Sequence, residues 1–315
     1  MAEWLGTGLQ SRLHGFEPRH SLQRGTAHNA AVPLPQLADI LATLDLAGSG
    51  DNTFVATQLD NANHHIVGGH IAAQALMAAS RTAPGRIPHS VHVYLLRAGD
   101  ARYPVDMEVV NLRDGGALST RQVRAQQGGE VLLEALVSLT APVEAMDYHQ
   151  PLPDVPAPEA LAPVEDQLSA YADEHHGFWV RPQWIARRYV DAPPRLAMDM
   201  PDPPQHTRMW WRPTEPVTDD SLVNCCLLTY VTGTTMLETS VTMRRTTQID
   251  SFSALIDHAV WFHRPADLSD WVLSDQVSPS GIGGRGLATG TMYNRAGQLV
   301  CTATQEIYFG RDRRG

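Results

Sequence analysis

The 315-residue sequence contains no lysine, because all 24 of its basic residues are arginine. Chemistries that need an ammonium side chain, such as Schiff-base formation or phosphate binding by a P-loop lysine, are therefore excluded. Cysteine is also scarce, and the three residues, of which Cys225 and Cys226 are adjacent, provide neither a disulfide framework nor a paired metal-ligand spacing. We expect a cytoplasmic protein of a reducing compartment, with no bound metal and no cofactor.

Charge and hydropathy exclude two further classes of protein. The formal net charge is −10, whereas nonspecific nucleic-acid binding needs a basic face, so we expect no nucleic-acid partner. No apolar run reaches the roughly 18 residues of a transmembrane helix, and the N-terminus lacks a signal-peptide pattern. Since 43% of the residues are hydrophobic, the chain can bury a large core, and we expect a globular protein without a membrane span.

Proline divides the chain into two parts of similar length. Six prolines lie between Pro142 and Pro163, and proline is excluded from central strands and helix interiors. The predicted organisation is a mobile N-terminal extension (1–31), a first half (32–141), a proline-rich linker (142–178) and a second half (179–315).

The two halves carry the same short pattern. When Arg97 is aligned with Arg264, both are preceded by an aromatic residue three positions earlier and followed by aspartate three positions later. A glycine turn then follows each arginine at nearly the same distance, at Gly129 and at Gly297. A shared pattern at a shared spacing indicates a duplicated domain.

Hydrophobic periodicity predicts helices and strands in the same order in each half. Helices are expected at 37–44, over the small-residue run that Gly68-Gly69 opens, and at 221–236. Strands are expected at 89–97, 104–112, 118–127 and 130–140, and again at 253–264, 271–278, 286–294 and 298–309. These elements imply a long antiparallel sheet wrapped around one buried helix, formed twice.

Six segments resemble the motifs of type II acyl-CoA thioesterases, in the same order along the chain. They are 68–76 (GGHIAAQAL), 89–100 (HSVHVYLLRAGD), 112–115 (LRDG), 257–265 (DHAVWFHRP), 285–286 (RG) and 304–306 (TQE). The resemblance implies an α+β fold of the double-hotdog type, with two helix-wrapped antiparallel sheets in one chain. It also implies hydrolysis of acyl-CoA thioesters to a carboxylic acid and CoA, with acyl-CoA as the binding partner. Hotdog halves often associate, so we expect a homo-oligomer.

The family holds its attacking water with an aspartate, a threonine or serine, and a glutamine. Position by position, the resemblance assigns the glutamine to Gln305, the aspartate to Gly233 and the hydroxyl residue to Leu255. Two hydroxyl residues lie beside the substituted positions, and we expect Thr234 and Ser253 to assist Gln305. The nearest carboxylates in the sequence are Glu238 and Asp250, and no spacing argument places either at this site.

Four further residues are candidate substrate contacts. Gly68 and Gly69 allow a thioester or pantetheine group to approach a helix N-terminus, although the pair also suits a tight turn. His258 is either a substrate contact or a buried histidine of the core. Arg285 follows a glycine-rich loop and is either a contact to a CoA phosphate or a structural cap.

Two alternative functions remain open at this point. One is a hotdog protein that binds acyl-CoA with reduced or no catalysis, because the Gly233 and Leu255 positions lack the expected groups. The other is a hotdog enoyl-CoA hydratase, suggested by the segment 60–65 (DNANHH), in which Ala62 and the absence of proline depart from the hydratase pattern.

Overall fold

The computed structural model describes residues 34–61, 63–143, 145–177, 179–181, 183–245 and 253–310. The predicted N-terminal extension lies outside these residues. The helices are α1 (Leu37–Leu44), α2 (Gly68–Arg81), α3 (Val164–Gln167), α4 (Pro194–Ala197), α5 (Ser221–Thr235) and α6 (Leu237–Arg244).

The strands form one antiparallel sheet. They are β1 (Ala47–Gly50), β2 (Thr53–Ala56), β3 (Ile87–Leu95), β4 (Val105–Asp114), β5 (Leu118–Gln127), β6 (Glu130–Thr140), β7 (Ile185–Tyr189), β8 (His206–Pro213), β9 (Ser253–Phe262), β10 (Val272–Ile282), β11 (Arg285–Asn294) and β12 (Leu299–Phe309). Their order across the sheet is β1-β2-β4-β5-β6-β3-β9-β12-β11-β10-β8-β7. The order of the second half mirrors that of the first, as a duplication predicts.

The two halves join where β3 pairs with β9. Val91 lies opposite Val260 and Val93 lies opposite His258, so main-chain pairing continues from one half to the other. The alternating apolar residues of both strands point to the buried face of the sheet.

Helices α2, α5 and α6 pack against strands of the sheet. α2 is buried over nearly its whole length. Its small alanine side chains allow the sheet, α1 and α5 to pack closely around it. α5 begins at Asp220, whose carboxylate caps the helix by accepting hydrogen bonds from the main-chain N–H groups of Leu222 and Val223. α2 and α5 pack directly against each other.

The structure contains the predicted helices and strands and several further elements. The predicted helices and all eight predicted strands are present, with shifts of a few residues at their ends. The strands β1, β2, β7 and β8 and the helices α3, α4 and α6 were not predicted. No helix among the described residues is long and apolar enough to cross a membrane.

The segment predicted as a linker packs against the second half. Its main-chain carbonyls accept hydrogen bonds from side chains of β7 and β8, namely Arg188 to Pro158 (2.6 Å) and Trp210 to Pro156 (3.0 Å). The proline-rich stretch therefore forms ordered contacts, although its only helices are short ones.

Candidate functional site

The helices α2 and α5 make their closest approach at two glycines. A Cβ atom built on Gly233 would lie 2.5 Å from the Cα atom of Gly69, and one built on Gly69 would lie 2.7 Å from the carbonyl oxygen of Tyr230. Both distances are shorter than any normal contact, so each position requires glycine for the helices to pack in this way. Gly69 is consequently closed to a thioester group in this structure, contrary to the expectation from the sequence.

Leu255 occupies the space next to this crossing. Its side chain covers Gly68, since a Cβ atom on Gly68 would lie 2.9 Å from Cδ2 of Leu255. Gly68 itself stays half-buried at the start of α2. An apolar side chain therefore fills the position that the resemblance assigns to a hydroxyl group.

Gln305 and His258 lie opposite each other on β12 and β9, and both are buried. His258 Nε2 lies 2.9 Å from Oγ1 of Thr232, and burial lowers the pKa of His258 to about 4, so its imidazole is neutral at pH 7. The carboxamide of Gln305 differs, because neither its oxygen nor its nitrogen has a hydrogen-bond partner among the described residues. Buried amides are normally hydrogen-bonded, and a bound water can satisfy this one.

Ser253 does not join this group. It is the first residue of β9 and pairs with Phe309, four residues along β12 from Gln305. Four strand residues span about 13 Å, so the hydroxyl of Ser253 lies too far from Gln305 to share a water with it. The expectation that Ser253 assists Gln305 is therefore wrong for this structure.

Thr234 faces a different space from Gln305. Its hydroxyl donates to the main-chain carbonyl of Tyr230 (2.9 Å), and its side chain lines a cavity of about 230 Å³. Gln305 is not among the residues lining that cavity. The sequence-based pairing of Thr234 with Gln305 is therefore not found, because the two side chains leave α5 and β12 towards different spaces.

The cavity lies between the end of α5, α6 and the edge strand β7. Tyr230 and Thr234 lie four residues apart on one face of α5, and Glu238 lines the same cavity from the first turn of α6. The alternate residues of β7 form the opposite wall, because alternate strand residues share a face. They are Ile185, Arg187 and Tyr189.

Three polar side chains meet in this cavity. The hydroxyl of Tyr189 donates a hydrogen bond of 2.6 Å to Oε2 of Glu238. Nη1 of Arg187 lies 3.5 Å from the other carboxylate oxygen, and Nε of Arg187 is buried without a partner among the described residues. The cavity therefore combines a carboxylate, a phenol and a cation at short distances.

Burial changes the proton affinity of these groups. It raises the pKa of Glu238, and the nearby guanidinium of Arg187 and the hydrogen bond from Tyr189 only partly oppose this effect. Burial and the adjacent carboxylate raise the pKa of Tyr189 well above its usual value, so the phenol stays protonated. A carboxylate with a raised pKa in a cavity is typical of a functional site.

The remaining candidates lie outside the cavity. Nε of Arg285 is paired with Oε1 of Glu306 at 2.9 Å, at an exposed position on β11. Asp60 and His64, which suggested hydratase chemistry, pair with each other at 2.8 Å on the surface. No group of three His, Cys, Asp or Glu residues in the described part of the chain is arranged to hold a metal ion.

Comparisons with known proteins agree with this architecture. A family model for acyl-CoA thioesterases matches residues 193–308, and a model for the acyl-CoA thioesterase N-terminal domain matches residues 57–140. The solved tesB protein of Mycobacterium avium subspecies paratuberculosis is 43% identical, with a TM-score of 0.74, over 88% of this chain and 100% of that one. The chain belongs to the acyl-CoA thioesterase family.

Further members of the acyl-CoA thioesterase family cover most of the chain. Acyl-CoA thioesterase 2 of Haemophilus influenzae is 30% identical over 86% of this chain and 96% of the relative. The structure of acyl-CoA thioesterase II TesB2 from Mycobacterium marinum is 30% identical, with a TM-score of 0.72, over 87% of this chain and 99% of that one. The double-hotdog fold expected from the sequence is confirmed.

The cluster of Arg187, Tyr189 and Glu238 was not predicted from the sequence. Glu238 was recognised only as a nearby carboxylate, while Arg187 and Tyr189 lie on a strand that was not predicted. One signal was available, because Tyr230, Thr234 and Glu238 have the spacing of a single helix face. The partner strand β7 has five residues, and only its tertiary position brings Tyr189 to Glu238.

Proposed function

We propose that the protein hydrolyses acyl-CoA thioesters to a free carboxylic acid and CoA, by direct attack of water and without a covalent acyl-enzyme. The observation that carries this proposal is membership of the acyl-CoA thioesterase family over both halves of the chain. Neither alternative has comparable support, because the family models match both halves of the chain, while Asp60 and His64 only pair with each other on the surface.

Of the three residues with which the family holds its attacking water, this chain keeps only the glutamine. Gln305 provides the carboxamide, and its two unpaired polar atoms suit a bound water. Gly233 and Leu255 stand where the family has a carboxylate and a hydroxyl group. A carboxamide can orient water but cannot remove its proton, so Gln305 alone does not supply a general base.

Substrate contacts are proposed at one half-buried residue, Gly68, and one exposed residue, Arg285. Gly68 offers the start of α2 to the pantetheine arm, and Arg285 offers a guanidinium to a CoA phosphate. His258 is buried and neutral, so we assign it to support of Thr232 rather than to substrate. A cytoplasmic location and a homo-oligomeric state complete the proposal.

The test measures thiol release from acyl-CoAs of increasing chain length. We expect turnover with at least one chain length by the wild type, and a kcat roughly tenfold lower for Gln305→Leu, because that variant loses an orienting hydrogen bond. Binding without turnover across the whole panel would overturn hydrolysis in favour of a binding protein. Equal kcat values for the two proteins would remove only the role given to Gln305.

A further inference from the structure

His258 and Gln305 carry three buried, unpaired polar atoms on neighbouring strands. The two residues lie opposite each other on β9 and β12, and cross-strand neighbours have Cβ atoms about 5 Å apart. Nδ1 of His258 and both polar atoms of the Gln305 carboxamide are buried without a partner among the described residues. A buried water typically forms about three hydrogen bonds, so these atoms suit one water molecule held between the two side chains.

The first half is apolar at the matched positions. The alignment of the two halves matches His258 with Val91 and Gln305 with Val137. Val91 and Val137 also lie opposite each other, on β3 and β6, and both are fully buried. One copy of this cross-strand pair therefore only packs, whereas the other carries hydrogen-bonding groups that packing does not require.

The hydrogen bonds of Thr232 determine which ring nitrogen of His258 carries the proton. The Thr232 hydroxyl donates to the main-chain carbonyl of Leu228 (2.8 Å), so its oxygen accepts from Nε2 of His258 at 2.9 Å. Burial lowers the pKa of His258 to about 4, so at pH 7 the ring is neutral and has one N–H. With that proton on Nε2, Nδ1 has a free lone pair.

The imidazole lies at the helix crossing, beside the position that lacks the family's carboxylate. A Cβ atom built on Gly233 would lie 3.6 Å from Cδ2 of His258, so the ring borders the space that a side chain at this position would enter. The imidazole therefore adjoins both α5, the central helix of the second half, and the strand that carries Gln305.

We propose that Nδ1 of His258 accepts the proton of the attacking water, which Gln305 orients, so that this histidine takes the place of the carboxylate absent at Gly233. This inference rests on the proposed function, and it adds the base that a carboxamide cannot supply. The thioester approaches from Gly68 at the start of α2, where displacement of the half-buried side chain of Leu255 admits it.

The proposed reaction is balanced in atoms and protons. As the water oxygen bonds to the thioester carbon, one water proton moves to Nδ1 of His258 and the carbonyl electrons move to oxygen, which forms an oxyanion. The C=O double bond then re-forms and the C–S bond breaks. The proton on Nδ1 passes to the CoA sulfur, which leaves a carboxylic acid, a thiol and a neutral imidazole.

The described side chains that contact or lie opposite His258 are uncharged. They are Val93 on β3, Gln305 on β12 and Thr232 on α5, while α2 contributes Gly69 at the crossing and then His70, which is itself buried and neutral. Main-chain carbonyls of Thr304 and Thr229 favour the protonated ring and partly oppose the effect of burial on its pKa. The base is therefore free at neutral pH, and kcat is expected to be flat above about pH 6.

The central experiment compares His258→Gln with His70→Gln in the full-length protein, with the best acyl-CoA substrate. His70 is a matched control, because it is also buried and neutral and is also bonded through Nε2 to a threonine hydroxyl, that of Thr43 (2.8 Å). We expect His258→Gln to lower kcat by about 10²- to 10⁴-fold. His70→Gln is expected to keep kcat within about threefold of the wild type.

The pH profile distinguishes a base from a structural role. Without an internal base, hydroxide must replace water as the nucleophile, so the residual kcat of His258→Gln is expected to rise about tenfold per pH unit between pH 7 and 9. A kcat within about threefold of the wild type, or a lower kcat with the flat profile of the wild type, overturns the assignment of His258 while hydrolysis itself stands. Absence of thiol release by the wild type overturns both proposals.

A second pair of variants covers the case in which His258→Gln does not fold. Thr232→Val removes the acceptor of the Nε2 proton, so the proton can move to Nδ1, and kcat is expected to fall about tenfold or more. Thr232→Ser keeps the hydroxyl and should retain kcat within about threefold of the wild type. Equal kcat values for Thr232→Val and Thr232→Ser overturn the assignment, as does nitrogen-15 NMR that places the His258 proton on Nδ1 in the wild type.

Discussion

The two halves of the molecule share one strand topology but carry different polar side chains at matched helix positions. The helices touch at Gly69 and Gly233, and these two glycines can be aligned. Gln74 and Glu238 then occupy matched positions, because each lies five residues after its glycine. Gln74 is fully enclosed and donates hydrogen bonds to the carbonyls of Thr43 and Thr57 at 2.9 and 2.8 Å. Glu238 instead lines a cavity and accepts a hydrogen bond from Tyr189, so one copy of this position is enclosed and the other borders open space.

Other matched positions also carry different types of residue in the two halves. With Arg97 aligned to Arg264, His258 on β9 corresponds to Val91 on β3, and Arg285 at the start of β11 corresponds to Leu118 at the start of β5. The turn glycines align Gln305 with Val137. In each pair the first half carries an apolar residue and the second a polar one. The two copies have therefore diverged in polarity at these three positions.

The largest expected effect comes from exchanging the matched pair. Gln74→Glu would set a carboxylate against two main-chain carbonyls in a closed site, and we expect the free energy of unfolding to fall by about 3 kcal/mol or more. Glu238→Gln keeps an acceptor for Tyr189 but leaves the largely buried guanidinium of Arg187 without its carboxylate, so we expect a smaller fall of about 1 to 2 kcal/mol. Urea denaturation of both variants checks this, and similar losses would contradict the comparison.

Acid should destabilise both halves through one buried histidine each. Burial lowers the pKa of His70 and of His258 to about 4, so the unfolded chain binds these protons first. The stability they support is present above about pH 6.5 and is lost as pH falls towards 4, by roughly 2 to 3 kcal/mol each at pH 4.5. Urea denaturation at pH 7 and 4.5 should show a smaller loss for His70→Gln and for His258→Gln than for the wild type. A loss equal to that of the wild type in either variant would exclude that histidine.

Restoring the missing carboxylate is expected to weaken the protein without activating it. Gly233→Asp must displace Gly69, so we expect about 1 to 3 kcal/mol of destabilisation and no rise in kcat. Gly69→Ala, on the matched helix, should destabilise by a similar amount, since the contact is reciprocal. Thermal unfolding and thiol release measure the two effects, and a stable, more active Gly233→Asp would contradict this packing argument.

The smallest expected effect concerns CoA recognition. Arg285→Ala removes an exposed cation and should weaken acyl-CoA binding by less than about fivefold, with a reduced dependence on salt. Arg124→Ala is the matched control in the first half, because Arg124 has equal exposure and a similar ion pair with Glu134. Calorimetry at two ionic strengths separates them, and equal behaviour of both variants would exclude Arg285 as a phosphate contact.

The sequence could predict the repeat, the long strands and the main helices, because these depend on local periodicity and on turns. It could not predict β7, which is five residues long and whose two central arginines obscure any alternation of apolar residues. Nor could it show that Leu255 covers Gly68 or that Thr234 faces away from Gln305, since both depend on how α2 and α5 cross. The sequence thus located the motif residues but did not show which neighbours or cavities their side chains face.

The pairing of β3 with β9 has a consequence for the origin of the chain. Val91 faces Val260 and Val93 faces His258, and the repeat relates His258 to Val91 and Val260 to Val93. The same register would therefore pair β3 with the β3 strand of a second copy, Val91 opposite Val93. A single half carrying this strand would have a self-complementary edge able to form a symmetric homodimer, and the β3–β9 pairing reproduces that dimer contact within one polypeptide.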